Sequence, residues 1–216
     1  MSEIGKIQKP DVEQFAGKRK LYFVRNLYLT DNSPEEYTTL FHAYWDEVSE
    51  QIEKMRAAGD VSKIFCESLL STSKNSLEAF DRMNERAGQL IRKRIREGAE
   101  LIPFEKEEIF GPLLDWSNCL MVVQTKEVFD KIIAIYNELV EQRTEYMLQV
   151  IERHLSAGEA GLLLMKDEDR VKLQFPKDIE LFLVTPPSYD NILKWFREEM
   201  RSRQEKEASG QKDPER

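Results

Sequence analysis

The chain has 216 residues, 41% of them hydrophobic and 10% aromatic, which suits one domain with a buried core. Lys and Arg total 32 against 40 Asp and Glu, and the resulting net charge of −8 and pI ≈ 5.1 exclude a surface given over to nucleic acid or an anionic membrane, leaving at most a local basic patch for such partners. Cys66 and Cys119 are too few for a disulfide framework and read as reduced. No apolar run approaches the ~20 residues that cross a bilayer, so the expected location is cytoplasmic, with no membrane partner.

Residues 1–17 are polar, punctuated by Pro10 and Gly17, and read as a flexible arm. Lys20–Leu29 is rich in Tyr, Phe, Val and Leu and reads as the first strand. Arg25 and Asn26 interrupt it, which suggests an edge position in preference to a bulge or a pair aimed at a cleft. Ser33 as N-cap, Pro34 at the first helical position and Glu36 three residues after the cap mark a helix start. The apolar stripe Tyr37, Leu40, Phe41, Tyr44, Trp45, Val48, Ile52 and Met55 then runs to a stop at Gly59. Lys63–Leu69 reads as a second strand, reached by a right-handed crossover.

A second helix is expected from about Asn75 to Gly98. Pro103 and the Gly111-Pro112 pair cut Leu101–Asn118 into short pieces, and Cys119–Val123 is too brief to classify. The longest helical pattern spans Thr125 to about Ser156. Its apolar residues are frequent enough for cover on more than one side, by earlier helices or a second subunit, so a homo-oligomer through residues 125–156 is expected. Gly161–Met165 and Ile179–Val184 read as buried strands separated by the acidic turn Asp167-Glu168-Asp169. Thr185-Pro186-Pro187-Ser188 then launches an amphipathic helix over Tyr189–Met200, and 204–216 reads as a disordered charged tail. The expected architecture is a single α/β domain over 18–203, helix-rich, with a small, mostly parallel sheet, long packed helices and a helical section over about 75–156.

Motifs for phosphate loops, zinc sites and catalytic triads are missing, so no catalytic residue, metal ligand or cofactor is assigned, and whether the chain is an enzyme stays open. His42 and His154 fit helix packing and a helix C-terminus better than acid–base chemistry, and Cys66 fits a buried small hydrophobe better than a nucleophile. In a parallel sheet the strand C-termini collect Asn26 or Asp31, Glu67, Ser68, Asp167, Asp169, Thr185, Ser188 and Tyr189. Carboxylates there could hold a cation, and hydroxyls with free amides a small anion; the ordinary alternative is a solvated turn and a helix cap. Arg82, Arg86, Lys93 and Arg96 share one face of the second helix. They form either an RNA-contacting line or a solvated face paired with Glu78, Asp81, Glu85 and Glu97.

GKRKLYFV, the EEY…YW helix start and the C-terminal FPxDIxxFxVxPPxxDxIxxWxR pattern resemble an uncharacterised group of bacterial cytosolic proteins over Gly17 to Arg197. That resemblance implies no catalytic residue. The order helix, LLLM strand, turn, strand and PPSYDNI helix is also similar to the last domain of the archaeal and eukaryotic class-1 peptide-chain release factors. The Gly-Gly-Gln motif of the release factors is absent, so this likeness implies ribosome association without peptidyl-tRNA hydrolysis. Two expectations result: a binding or regulatory protein with a small anion or cation at the strand-end rim, or a translation-linked module touching RNA through its basic helix.

Overall fold

The computed structural model describes residues 17–208, so all but the last residue of the expected arm over 1–17, and the end of the tail, lie outside the described residues. Five strands, β1 (Arg19–Arg25), β2 (Val61–Cys66), β3 (Glu100–Ile102), β4 (Ala160–Met165) and β5 (Ile179–Leu183), form one all-parallel sheet in the order β3-β2-β4-β1-β5. Leu21–Val24 and Leu162–Met165 are all fully buried, as expected for central parallel strands covered on both faces.

The strand period of two divides the core into two layers. Tyr22, Val24, Ile64, Cys66, Leu162 and Leu164 pack with Phe41, Tyr44, Val48 and Ile52 of α1 (Glu35–Met55), and with α2 (Lys74–Met83) and α3 (Glu85–Arg96). On that side α7 (Pro187–Ala208) also packs on α1. Leu21, Phe23, Phe65, Leu163 and Met165 face the other way, onto Met147, Val150 and Ile151 of α5 (Lys126–His154). The antiparallel partner of α5 is α4 (Glu107–Val122). None of the described helices is long and apolar enough to cross a membrane.

The helix-rich α/β expectation holds, with several local corrections. β1 lies between β4 and β5, so it is not an edge strand. It ends at Arg25 and delivers Asn26 to the rim of the sheet. Ser33 does not cap α1: its hydroxyl accepts from the Thr30 amide at 2.9 Å and closes the preceding turn. The expected second helix is two helices, because Asn84 leaves helical geometry at φ −153°, ψ 83° and caps α3 with its side chain. The section over 75–156 also contains β3, a three-residue strand too short to show a period.

Gly111-Pro112 does not interrupt α4: Pro112 sits near its start, where a single intrahelical bond is forfeited, and the run into Val122 is helical. The acidic turn is one helical turn, α6 (Asp167–Arg170). Residues 204–208, assigned to the tail, continue α7.

Candidate functional site

The topology opens a crevice at the strand C-termini. From β2 the chain leaves toward the β3 edge, and from β4 it leaves toward the β5 edge; β2 and β4 are neighbours, so their outgoing connections diverge. In parallel sheets this divergence leaves room that neither connection fills. The helical hairpin of α4 and α5 roofs the crevice. The second half of α5 lies on the sheet, Arg143 sits at the strand ends, and the residues before it extend past them. A cavity of about 520 Å³ results, with Tyr28, Glu67, Ser68, Lys166, Arg143 and Asp169 as its polar side and Phe110, Leu113, Tyr136 and Val140 among its apolar walls.

Glu67 immediately follows β2 and is 2% exposed. Its Oε1 accepts from Asn26 Nδ2 and from the Tyr28 hydroxyl, each at 3.2 Å, and its Oε2 accepts from the Lys166 amide at 3.0 Å. All three partners donate, so the arrangement suits a carboxylate rather than a neutral acid. None is a cation: no ion pair reaches Glu67 among the described residues. Burial raises its pKa, and the Lys166 amide and the Arg143 charge oppose that rise only in part. Burial, and then the Glu67 charge, likewise drive the Tyr28 phenol far up, which keeps it a donor.

One backbone feature and one side-chain contact hold this carboxylate in place. Ser68 has φ +65°, a conformation that non-glycine residues seldom adopt, and its amide donates to Glu105 Oε1 at 3.0 Å. Asn84 donates to Asn26 Oδ1 at 2.9 Å and to the Leu27 carbonyl at 2.7 Å. With its oxygen so engaged, Asn26 turns its amide nitrogen toward Glu67. Beneath the cavity, Glu105 receives a two-pronged contact from Arg143, whose third bond goes to Asp169 at 2.8 Å. Burial alone would lower the Arg143 pKa, but Glu105 and Asp169 raise it, so this cation is permanent. Asp169 is depressed despite burial, because Lys172 and Arg143 both donate to it.

The residues expected at the rim divide between two clusters. Glu67 and Asp169 line the cavity together. Asp167, Thr185 and Tyr189 gather instead about Arg25. Its Nε meets Asp167 Oδ2 at 3.4 Å, its Nη1 donates to Thr185 Oγ1 at 3.2 Å, and its guanidinium carbon lies 4.4 Å from the centre of the Tyr189 ring. Ser188, 2% exposed, uses its amide to donate to Glu47 Oε2 at 2.9 Å, so a carboxylate of the protein itself occupies the start of α7. Among the described residues no three His, Cys, Asp or Glu are placed to hold a metal ion.

The basic helix face is largely engaged. Arg86 donates to His42 Nδ1 at 2.9 Å and pairs with Asp46 at 3.0 Å, while Lys93 meets Glu53 at 2.7 Å. The Lys93 hydrogen bond is the largest influence holding the Glu53 carboxyl down to about 2. Arg82 and Arg96 are exposed without an ion pair among the described residues, and the break at Asn84 places Arg82 on a different helix from the other three. Arg82 and Arg86 do line a groove of about 930 Å³, but Asp81 and Glu85 line it too.

Sequence reading missed Tyr28, Asn84, Glu105 and Arg143 as members of the site. A signal existed for Arg143, a lone charge in the otherwise apolar row Tyr136, Val140, Met147, Val150 of α5. Glu105 carried none, because the strand it follows was not detectable.

The raised pKa of Glu67 gives a pH dependence of defined sign. Between its unfolded value, near the ordinary 4.5, and its higher folded value, the native state binds more protons than the unfolded chain. Stability from this group therefore falls as pH rises through that window. The unfolding free energy of the native protein minus that of Glu67→Gln is expected to decline from pH 4 upward and level off above the folded pKa. Paired urea titrations across this range check it, and a difference that rises with pH would contradict it.

Comparison of the chain with protein-family models, curated proteins and solved structures returned no match.

Proposed function

We propose that the protein binds a small organic molecule in the cavity between the β2 and β4 ends and the α4–α5 hairpin, with a protonated amine or similar N–H donor directed at Glu67 and an apolar body against Phe110, Leu113, Tyr136 and Val140. The observation that carries this reading is Glu67 itself: a buried carboxylate, hydrogen-bonded by neutral donors and in no ion pair among the described residues, at the wall of a cavity. Buried charges are ordinarily paired. Glu105 and Asp169 are paired with Arg143 and Lys172, whereas Glu67 has no ion pair among the described residues. A carboxylate offers roughly four lone-pair positions, and three are used. The cavity volume lies in the range of small-molecule sites, and its mix of apolar wall and few polar groups is typical of them.

The reading departs from an anion at the rim because Thr185 and Tyr189 serve Arg25 and the α7 start serves Glu47. Thermal-shift titration with alkyl- and arylalkylamines, set against carboxylates of equal size, tests it. Amines are expected to raise Tm, by an amount equivalent to about 2.7 kcal/mol at a hundredfold excess over Kd, and Glu67→Gln should abolish the shift. Equal shifts from the matched carboxylates, or an amine shift that survives Glu67→Gln, would refute the assignment.

A further inference from the structure

The first half of α5 carries two apolar rows, and α4 faces one of them. Phe129, Ile133, Tyr136 and Val140 alternate at spacings of four and three, and the row continues as Arg143, Met147 and Val150. Tyr136, Val140 and Arg143 share a cavity with Phe110, Leu113 and Ser117 of α4, and the Arg143 guanidinium lies 5.6 Å from the Phe110 ring centre. From Tyr136 onward this row is therefore the seam of the hairpin, while Phe129 at its start is 42% exposed.

The second row, Val128, Ile132, Ile135 and Leu139, sits one residue earlier and is turned about 100° away from that seam. Val128 is 44% exposed and Ile135 39%, with Ile132 and Leu139 half-buried. On α4, Trp116 likewise precedes the seam residue Ser117 by one position, Cys119 lies three residues further along the same face, and both are half-buried. In an antiparallel pair, a one-residue shift toward each N-terminus rotates both rows to the same side. The hairpin thus presents an apolar face two helices wide, and among the described residues the extensive helix packing of α5 is with α4 alone.

We propose that this face is the interface of a homodimer in which α5 packs antiparallel on α5 of a second copy, across a twofold axis close to Ile135. A hairpin with one apolar row turned to its own partner helix and one open is half of a four-helix bundle, and a second hairpin completes it. Charge selects both the partner and its direction. Lys131 and Glu138 lie seven residues apart along the same edge of the open row, so antiparallel pairing sets each near the opposite charge of the other copy. The present ion pair of Lys131 with Glu127 is between largely exposed groups and is readily exchanged. Residues 107–142 hold more Asp and Glu than Lys and no Arg, which disfavours RNA or an anionic membrane as the occupant.

Sedimentation of the full chain over a concentration series up to about 100 μM tests the interface. The expected mass is twice 25.4 kDa. Ile135→Glu should raise the dimer Kd at least about a hundredfold with an unchanged far-UV spectrum, because it places a charge in the apolar contact. Lys131→Glu should weaken the dimer several-fold, and Lys131→Glu combined with Glu138→Lys should restore it. A monomer throughout the series, or a dimer indifferent to Ile135→Glu, overturns the proposal. A double reversal no stronger than the single one overturns the antiparallel arrangement.

Discussion

Replacing Arg143 with methionine is expected to lower the unfolding free energy by about 3–5 kcal/mol, the range for breaking a buried ion pair from one side. Glu105 has a fully buried side chain, and Arg143 supplies both prongs of its counter-charge. Methionine has a similar length and fits the apolar row of α5, so the packing against Phe110 is largely kept while the charge is lost. The loss then reflects an uncompensated carboxylate and not a hole. Adding Glu105→Gln to the Arg143→Met variant should recover a substantial part of it, since a neutral amide is far easier to bury than an unpaired charge. Urea unfolding of the two variants measures this. A single-variant loss under 1 kcal/mol, or a double variant weaker than the single, would show that the Glu105–Arg143 pair does not anchor the hairpin to the sheet.

That anchoring explains why the site was only partly legible in the sequence. The strands that became β1, β2, β4 and β5 announce themselves as short apolar runs, and their parallel order puts Glu67 and Asp169 at one cavity, as expected from strand ends alone. Alternation and turn chemistry report on single elements, however, and most of the remaining site is built between elements. Asn26 looked like an edge residue because a polar side chain after an apolar run has the same appearance whether it meets solvent or a buried carboxylate. Asn84 looked like one more position in a long helix, because the helical pattern continues on both sides of the break. Asp167 and Asp169 are two residues apart, yet they serve different arginines, a division set by the tight turn of α6. Pairing partners 26 to 142 residues away in sequence leave no local trace.

Asn84→Ala carries the second large effect, and it joins stability to the site. The side-chain oxygen of Asn84 accepts from the Ala87 amide at 3.1 Å and so caps α3; losing such a cap costs about 1 kcal/mol. Its nitrogen satisfies Asn26 Oδ1 and the Leu27 carbonyl, and leaving a buried acceptor unmet costs about 1–3 kcal/mol. Together these predict a loss of about 2–4 kcal/mol in urea unfolding. The effect should reach Glu67, because the Asn26 amide points its nitrogen at that carboxylate only while Asn84 holds its oxygen. Asn84→Asp separates the two roles: the aspartate can still cap α3, but it sets an acceptor against Asn26 Oδ1 and the Leu27 carbonyl. Hydrogen exchange at the Ala87 amide should then stay slow in the aspartate variant and become fast in the alanine one, while both variants weaken the amine-induced thermal shift. If Asn84→Ala instead unfolds within about 0.5 kcal/mol of the native protein, the range of an ordinary surface substitution, Asn84 does not link α3 to the end of β1 energetically. Orientation of the Glu67 carboxylate would then rest on its direct donors, Asn26, Tyr28 and the Lys166 amide, without help from Asn84.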